Sequence, residues 1–347
     1  MATQDRGRPG VTALERRYRR LLRLLPASYR AAWEEDMVAT FLAGALPDDP
    51  EDAEFAAEYG RPDWSEVVSV LGLAARLRFG GAGAPPRYLA LGEAVRRVAL
   101  VGLLAHAVTA VAGVGSLLWL PVRFPDVPAA GRADTVWTLL GLGWVAAYLL
   151  LVLGRWRAAR LLAGLSLLPS MIITGLDLAT TGGAYLLSRT VGLLVAAIPV
   201  LALAAFHRDA MPVPPRPWLI ALPVGATLLT GVLLLTQYPA GWVIVDWPGL
   251  TCAAVVAAAL VHQIARFTGR TAPAWPAALA LLALAILTLR AATLLDNLRY
   301  TAPAPDRNTL VTAALLESLA VLLITLPLTR QAARTLRTLP AADPAKP

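Results

Sequence analysis

Residues 274–296 read AWPAALALLALAILTLRAATLLD, and this stretch decides the fold. Before Asp296 closes it, the run carries a single charge, Arg290. A helix of ~20 apolar residues, rising 1.5 Å per residue, crosses the ~30 Å hydrocarbon core of a bilayer. Seven further runs of the same character precede and follow it. The eight expected spans are 95–119, 135–153, 159–178, 188–206, 218–236, 249–267, 274–296 and 308–329. Backbone polar groups in lipid need partners within the chain, so eight such runs imply an all-α polytopic membrane helix bundle.

Composition agrees. Hydrophobic residues make up 57% of the 347 and charged residues 16%, against roughly 45–50% and 25% in soluble domains. The first 90 residues hold 12 Arg and 13 acids, so the net charge of +8 belongs to the part beyond them. Its basic residues sit at helix ends, where they suit anionic headgroups; no nucleic-acid partner is expected. Cys252 is the only cysteine, which excludes an internal disulfide. Trp119, Trp137, Trp156, Trp218, Tyr238, Trp242, Trp247 and Trp275 fall near expected span ends, as an aromatic belt does, whereas Trp144 falls mid-span.

Orientation follows from the basic residues. Arg155, Arg157, Arg160, Arg208, Arg216, Arg266 and Arg270 fall in one set of loops, and Arg123, Arg132, Arg189, Arg299 and Arg307 in the other. Arg96 and Arg97 before the first span, with Arg330, Arg334 and Arg337 after the last, tip the balance. Both termini are expected on the cytoplasmic side of the cell membrane. No apolar signal-peptide core occurs in the first ~90 residues, so the first span is expected to direct insertion.

The chain divides by this reading into a cytoplasmic helical prefix module (1–86), a transmembrane bundle (87–330) and a cytoplasmic tail (331–347). Residues 1–10 read as a disordered tip. From Thr12 to Leu25, Leu14, Tyr18, Leu21 and Leu25 share one helical face. Pro26 stops that helix, and Ser28 is placed to cap a second, 28–44, with Tyr29, Trp33, Met37 and Phe41 along one stripe. Residues 1–30 hold 8 Arg and 2 acids; residues 31–66 hold 11 acids and Arg61 alone. Opposite charge on neighbouring apolar stripes predicts an αα-hairpin; the rival is a basic helix lying on the membrane. Arg16, Arg19, Arg20 and Arg23 are the candidate docking residues, for lipid or for a cytoplasmic protein partner engaged through residues 12–44. A short helix is expected at 51–59, and Asp63 with Glu66 matches a capping box opening a helix that Gly80 and Gly81 stop.

Motifs that specify chemistry are missing from the sequence: no phosphate-binding G-x-x-x-x-G-K-[ST], no H-E-x-x-H and no C-x-x-C. No catalytic, cofactor-binding or metal-ligating residue is therefore assigned, and no cofactor is expected. What stands out is charge inside the spans. An ionised side chain at a helix centre costs about 2.5–3.5 kcal/mol on insertion scales. Glu317 in the eighth span and Arg290 in the seventh lie at similar depth, ~9–15 Å from one end of antiparallel helices, which predicts a salt bridge. His106, mid-way in the first span, is read as a hydrogen bond to a neighbouring helix or a proton carrier. Asp177 and Asp296 read as solvated helix ends, His262 and Gln263 as interfacial, and Cys252 as a small apolar filler.

The stretch ERRYRRLLRLLPASYRAAWEEDMVATFLAG resembles the permease-prefix and HAAS-type two-helix modules that precede many Gram-positive and actinobacterial membrane proteins. Tyr18, Leu22, Leu25, Pro26, Trp33, Glu34, Glu35 and Phe41 carry the likeness, over about 30 residues. The resemblance implies a transport permease or a signalling membrane protein, often with a cytosolic regulatory partner. Only about 15 residues separate the first two spans here, whereas the permease version has a large domain at that place. The reading that results is a non-enzymatic regulatory or sensory membrane protein. The alternative is a transporter or permease subunit using the intramembrane Arg290–Glu317 pair.

Overall fold

The computed structural model describes residues 12–81, 84–123, 131–180, 185–207, 213–235, 246–269, 272–300 and 305–339. The disordered tip expected at 1–10, and the positions of Arg208, Tyr238, Trp242 and Arg270, lie outside them. The described residues form thirteen α-helices and one 3₁₀ turn, with no strand. Two compact units result: Met1–Gly92 with Arg337–Pro347, and Glu93–Leu336.

The first unit holds α1 (Ala13–Leu22), α2 (Ala27–Ala45), α3 (Pro50–Tyr59) and α4 (Trp64–Arg78). Thr12 caps α1, its hydroxyl accepting from the Glu15 N–H at 3.2 Å. Tyr18, Leu22, Leu25, Val38, Val70, Ala74 and Leu77 make the core, and Tyr18 stacks on Phe41 with ring centroids 4.0 Å apart. Helix α1 packs on α2, as opposite charge and matching stripes predict, but also on α3 and α4. That fuller surround buries Leu22 completely beside the partly buried Leu21, and leaves Trp33 half exposed at 49%. Two expected caps are absent. Ser28 lies inside α2, which opens at Pro26 without a side-chain cap. Asp63 makes no capping bond to α4, and the Glu66 side chain accepts from the Tyr18 hydroxyl at 2.8 Å. Burial and that carboxylate together push the Tyr18 hydroxyl well above the ordinary tyrosine range.

Residues 86–338 contain eight helices long and apolar enough to span a membrane: Pro86–Trp119, Thr135–Val152, Trp156–Asp177, Leu186–Ala205, Pro215–Leu234, Trp247–Phe267, Trp275–Arg299 and Arg307–Thr338. They belong to α5 (Pro86–Arg123), α6 (Arg132–Leu140) with α7 (Leu142–Val152), α8 (Trp156–Thr180), α9 (Leu186–Ala202), α10 (Pro215–Leu235), α11 (Trp247–Phe267), α12 (Trp275–Tyr300) and α13 (Pro305–Thr338). The second span is interrupted at Gly141, a residue that weakens helices. Large side chains such as Leu161, Leu228, Leu260, Ile264 and Leu323 are exposed on the outside of the bundle. Water would penalise that surface; lipid does not.

Contacts follow the alternation of the spans. At the end where the first span begins, the near end, Tyr148 donates to the Trp218 carbonyl at 2.7 Å and Arg160 to the Leu203 carbonyl at 2.9 Å. There too Arg97 lies over the Trp275 ring at 4.8 Å, and Arg96 is buried against Glu93 at 2.7 Å rather than reaching headgroups. The largest apolar cluster, including Leu103, Trp144, Tyr148, Leu203 and Phe206, occupies this end. The opposite, far end is held by charge. Arg189 of α9 pairs with Asp177 of α8 at 2.5 Å.

Candidate functional site

The polar cluster at the far end is built around α12. Its Arg290 is 1% exposed and heads the fully buried side chains by size. Each terminal nitrogen meets a carboxylate. Nη2 lies 2.6 Å from Glu317 Oε2 on α13, so the structure brings together the two residues that their depth had paired. Nη1 lies 2.5 Å from Asp246 Oδ2, a partner that no expectation included. The same Asp246 is the N-cap of α11, its Oδ1 accepting from the Gly249 N–H at 2.8 Å. One aspartate therefore ends a helix and holds a buried cation.

Two carboxylates against one guanidinium leave the cluster formally at −1. The positive end of the α11 dipole sits beside Asp246 and offsets part of that excess. The carboxylates keep roughly a fifth of their side-chain surface, 23% for Asp246 and 22% for Glu317. Gly249 is a fixed requirement of this packing. A Cβ there would lie 2.7 Å from Glu317 Oε1 and 2.7 Å from Asp246 Oδ1. Arg290 Nε is buried with no hydrogen-bond partner among the described residues. Chemically the cluster offers one cation two competing acceptors. Cys252 is packed among Ala283, Ile286 and Val321 as an apolar filler would be.

The other expected residues lie apart from it. His106 stacks on Trp144, with centroids 4.3 Å apart, and hydrogen-bonds to the backbone of Ala196 in α9. That contact accounts for the tryptophan sitting away from the aromatic belt. In the first unit, Arg19 is held by Glu15 and Glu35 at 2.8 Å and by Glu34 at 3.6 Å. Arg16, Arg20 and Arg23 are exposed. Those carboxylates raise the Arg19 guanidinium above its already high range, so it is spoken for as a positive charge.

One expectation needs correction. Asp296 is not a solvated end: it is 1% exposed and accepts from the Ser188 N–H at 2.7 Å, satisfying a donor at the start of α9. Asp177 remains 38% exposed at its helix end and pairs there with Arg189. His262 is packed within the protein at 6% exposure, and Gln263 beside it accepts from Gln331 at 3.4 Å.

Asp246 had a usable signal. Asp-Trp-Pro-Gly places a capping side chain before a proline in the first turn of an apolar run, a helix start. Beginning the span at residue 249 hid it. Asp296 had none, because nothing local in LLDNLRY points to a helix start 108 residues earlier. No known protein family, curated protein or solved structure matches this chain.

Proposed function

We propose that this multi-pass membrane protein is a non-enzymatic regulatory or sensory protein of the cell membrane, its termini cytoplasmic and its helical N-terminal unit docking a protein partner with a basic surface. The observation that carries the reading is an apolar surface left uncovered on a unit that already has its own core. Phe55 and Tyr59 on α3 are 67% and 66% exposed; Trp64, Val68 and Leu71 on α4 are 82%, 62% and 47% exposed. Their spacings, i to i+4 and i to i+4 to i+7, put each set along one helix face. Covering a side chain of this size is worth roughly 1.5–3 kcal/mol. Acidic residues flank both stripes: Glu51, Asp52, Glu54, Glu58 and Asp63. Negative charge repels anionic headgroups and suits a basic protein face, which favours a protein over the bilayer as the occupant. Arg19, tied to its three glutamates, contributes structure.

The test uses the full-length chain in its native membrane, cross-linked before extraction. Wild type should retain a discrete partner that Trp64→Glu/Val68→Glu loses while still reaching the membrane. Equal recovery by both, or recovery of nothing beyond an untagged control, rejects the reading. Orientation is checked separately with Cys252→Ser and a new cysteine at Ala2: an impermeant maleimide should label inverted vesicles and spare intact cells.

A transporter using Arg290 and Glu317 is the second reading, favoured by the partial exposure of both carboxylates. Neither of the two cavities described, one between α11, α12 and α13 at the near end and one in the first unit, includes Arg290, Asp246 or Glu317.

A further inference from the structure

Several arginines in this protein come with an acceptor. Arg19, Arg96, Arg97, Arg189 and Arg290 pair with carboxylates, and Arg160 with carbonyl groups. Three arginines at the near end of the bundle do not follow the pattern. Arg266, Arg330 and Arg334 line one cavity of about 430 Å³, enclosed by the end of α11, the start of α12 and the last turns of α13. None of the three makes an ion pair among the described residues, and no carboxylate lines the cavity with them.

The arrangement comes from the helices. On α13, Pro327, Arg330, Gln331 and Arg334 are three and four residues apart, so successive turns present them along one face. Arg266 belongs to the last turn of α11, where the helix dipole accepts a positive charge. Pro276 and Pro327 form rigid, apolar parts of the wall. Gln331 adds a polar group: one end of its amide bonds to Gln263 at 3.4 Å, and its Oε1 is buried without a partner. A joint flip of the Gln331 and Gln263 amides keeps their mutual bond, now donated by Gln263, and frees the Gln331 N–H groups for an anion in the cavity. Each arginine alone would be an ordinary headgroup-zone residue. Three converging on one hollow, with no negative charge supplied by the described residues, lack an anion.

We propose that this cavity binds an anionic phosphate group, borne by an anionic phospholipid or free in the adjoining water. Guanidinium groups hold phosphate through paired N–H donors, and basic hollows between membrane helices accept such headgroups. A cavity of this size lies within the ~300–1,000 Å³ common for small-ligand sites. A zwitterionic lipid fits poorly, because its own cation would face the three arginines. This site is independent of the docking surface proposed above.

The full-length protein, purified and stripped of lipid in a neutral maltoside detergent, supplies the test. Melting temperature is measured with phosphatidylglycerol, with phosphatidylcholine, and with inorganic phosphate against chloride at equal ionic strength. A rise of a few degrees with phosphatidylglycerol and not phosphatidylcholine supports the site and names lipid as the source. A rise with inorganic phosphate over chloride supports the site and names free phosphate. Arg266→Gln/Arg330→Gln/Arg334→Gln should abolish the rise, while the charge-matched Arg155→Gln/Arg157→Gln/Arg216→Gln keeps it. Should the triple variant misfold, Arg334→Gln alone should weaken binding about tenfold, a loss of ~1.4 kcal/mol. The proposal is overturned if neither probe raises the melting temperature, or if both triple variants respond alike.

Discussion

Arg19 and Arg290 hold the same kind of position in two different solvents. Each guanidinium is gripped by carboxylates from more than one helix: Glu15, Glu34 and Glu35 around Arg19, Asp246 and Glu317 around Arg290. The side chain of Arg19 is 26% exposed and that of Arg290 1%. Water around Arg19 would solvate any group that lost its partner. No such substitute reaches Arg290. The difference teaches that similar distances carry different consequences: the exposed cluster adjusts a structure made by the Tyr18 and Leu22 core, whereas the buried one ties three helices together.

The largest expected effect is at Arg290. Arg290→Ala would leave Asp246 and Glu317 facing each other in the bundle, and removing one partner of a buried pair costs about 3–5 kcal/mol. Most of the yield of monodisperse, detergent-purified protein should disappear. Arg290→Met combined with Asp246→Asn and Glu317→Gln should regain most of it, because no charge is then orphaned. If Arg290→Ala melts with the wild type, the buried cluster is no stronger than the exposed one and the comparison fails.

Gly249→Ala comes next. It leaves every charge in place and asks whether the cluster depends on close backbone approach. Overpacking of this kind costs about 1–3 kcal/mol, and a lower melting temperature in detergent checks it.

Tyr18 sharpens the exposed side through pH. Its hydroxyl stays protonated in the folded unit above the point, ~10, at which an unfolded chain releases the proton. The stabilisation is therefore complete below that pH and fades as pH climbs past it. The urea midpoint of the N-terminal unit in the full chain, read by pulse proteolysis, should fall between pH 8 and pH 10.5. Tyr18→Phe should flatten that fall. A pH-independent midpoint in wild type would contradict it.

The smallest effect belongs to Arg19→Ala, at most about 1 kcal/mol in the same assay and reduced by added salt. A larger, salt-insensitive loss would mean that Arg19 behaves as a buried charge after all.

How far the sequence could be read follows the same division. Lipid demands runs of ~20 apolar residues, and so all eight spans could be placed to within a few residues, apart from the start of the first and the end of the last, which extend further as helix. Arg290 and Glu317 were visible because charge in such runs is rare. Asp246 and Asp296 were not, since acids at span ends look solvated until a distant helix start is brought to them. In the N-terminal unit the amphipathic stripes located α1 and α2, with Trp33 alone left outside, while the share of α4 in the core was not legible. Glu66 serves the Tyr18 hydroxyl, a partner that local spacing does not reveal.

The order of the three charged residues along the chain, Asp246, Arg290, Glu317, also bears on biogenesis. A ribosome delivers the aspartate first, then the arginine, and the second carboxylate only with the final helix. Until α13 leaves the insertion machinery, Arg290 has one acceptor, and the three-helix cluster is completed only when that helix arrives. A nascent chain stopped short of residue 317 would hold Arg290 and Asp246 as a neutral pair, with the Nη2 donor still lacking the acceptor that the later helix brings.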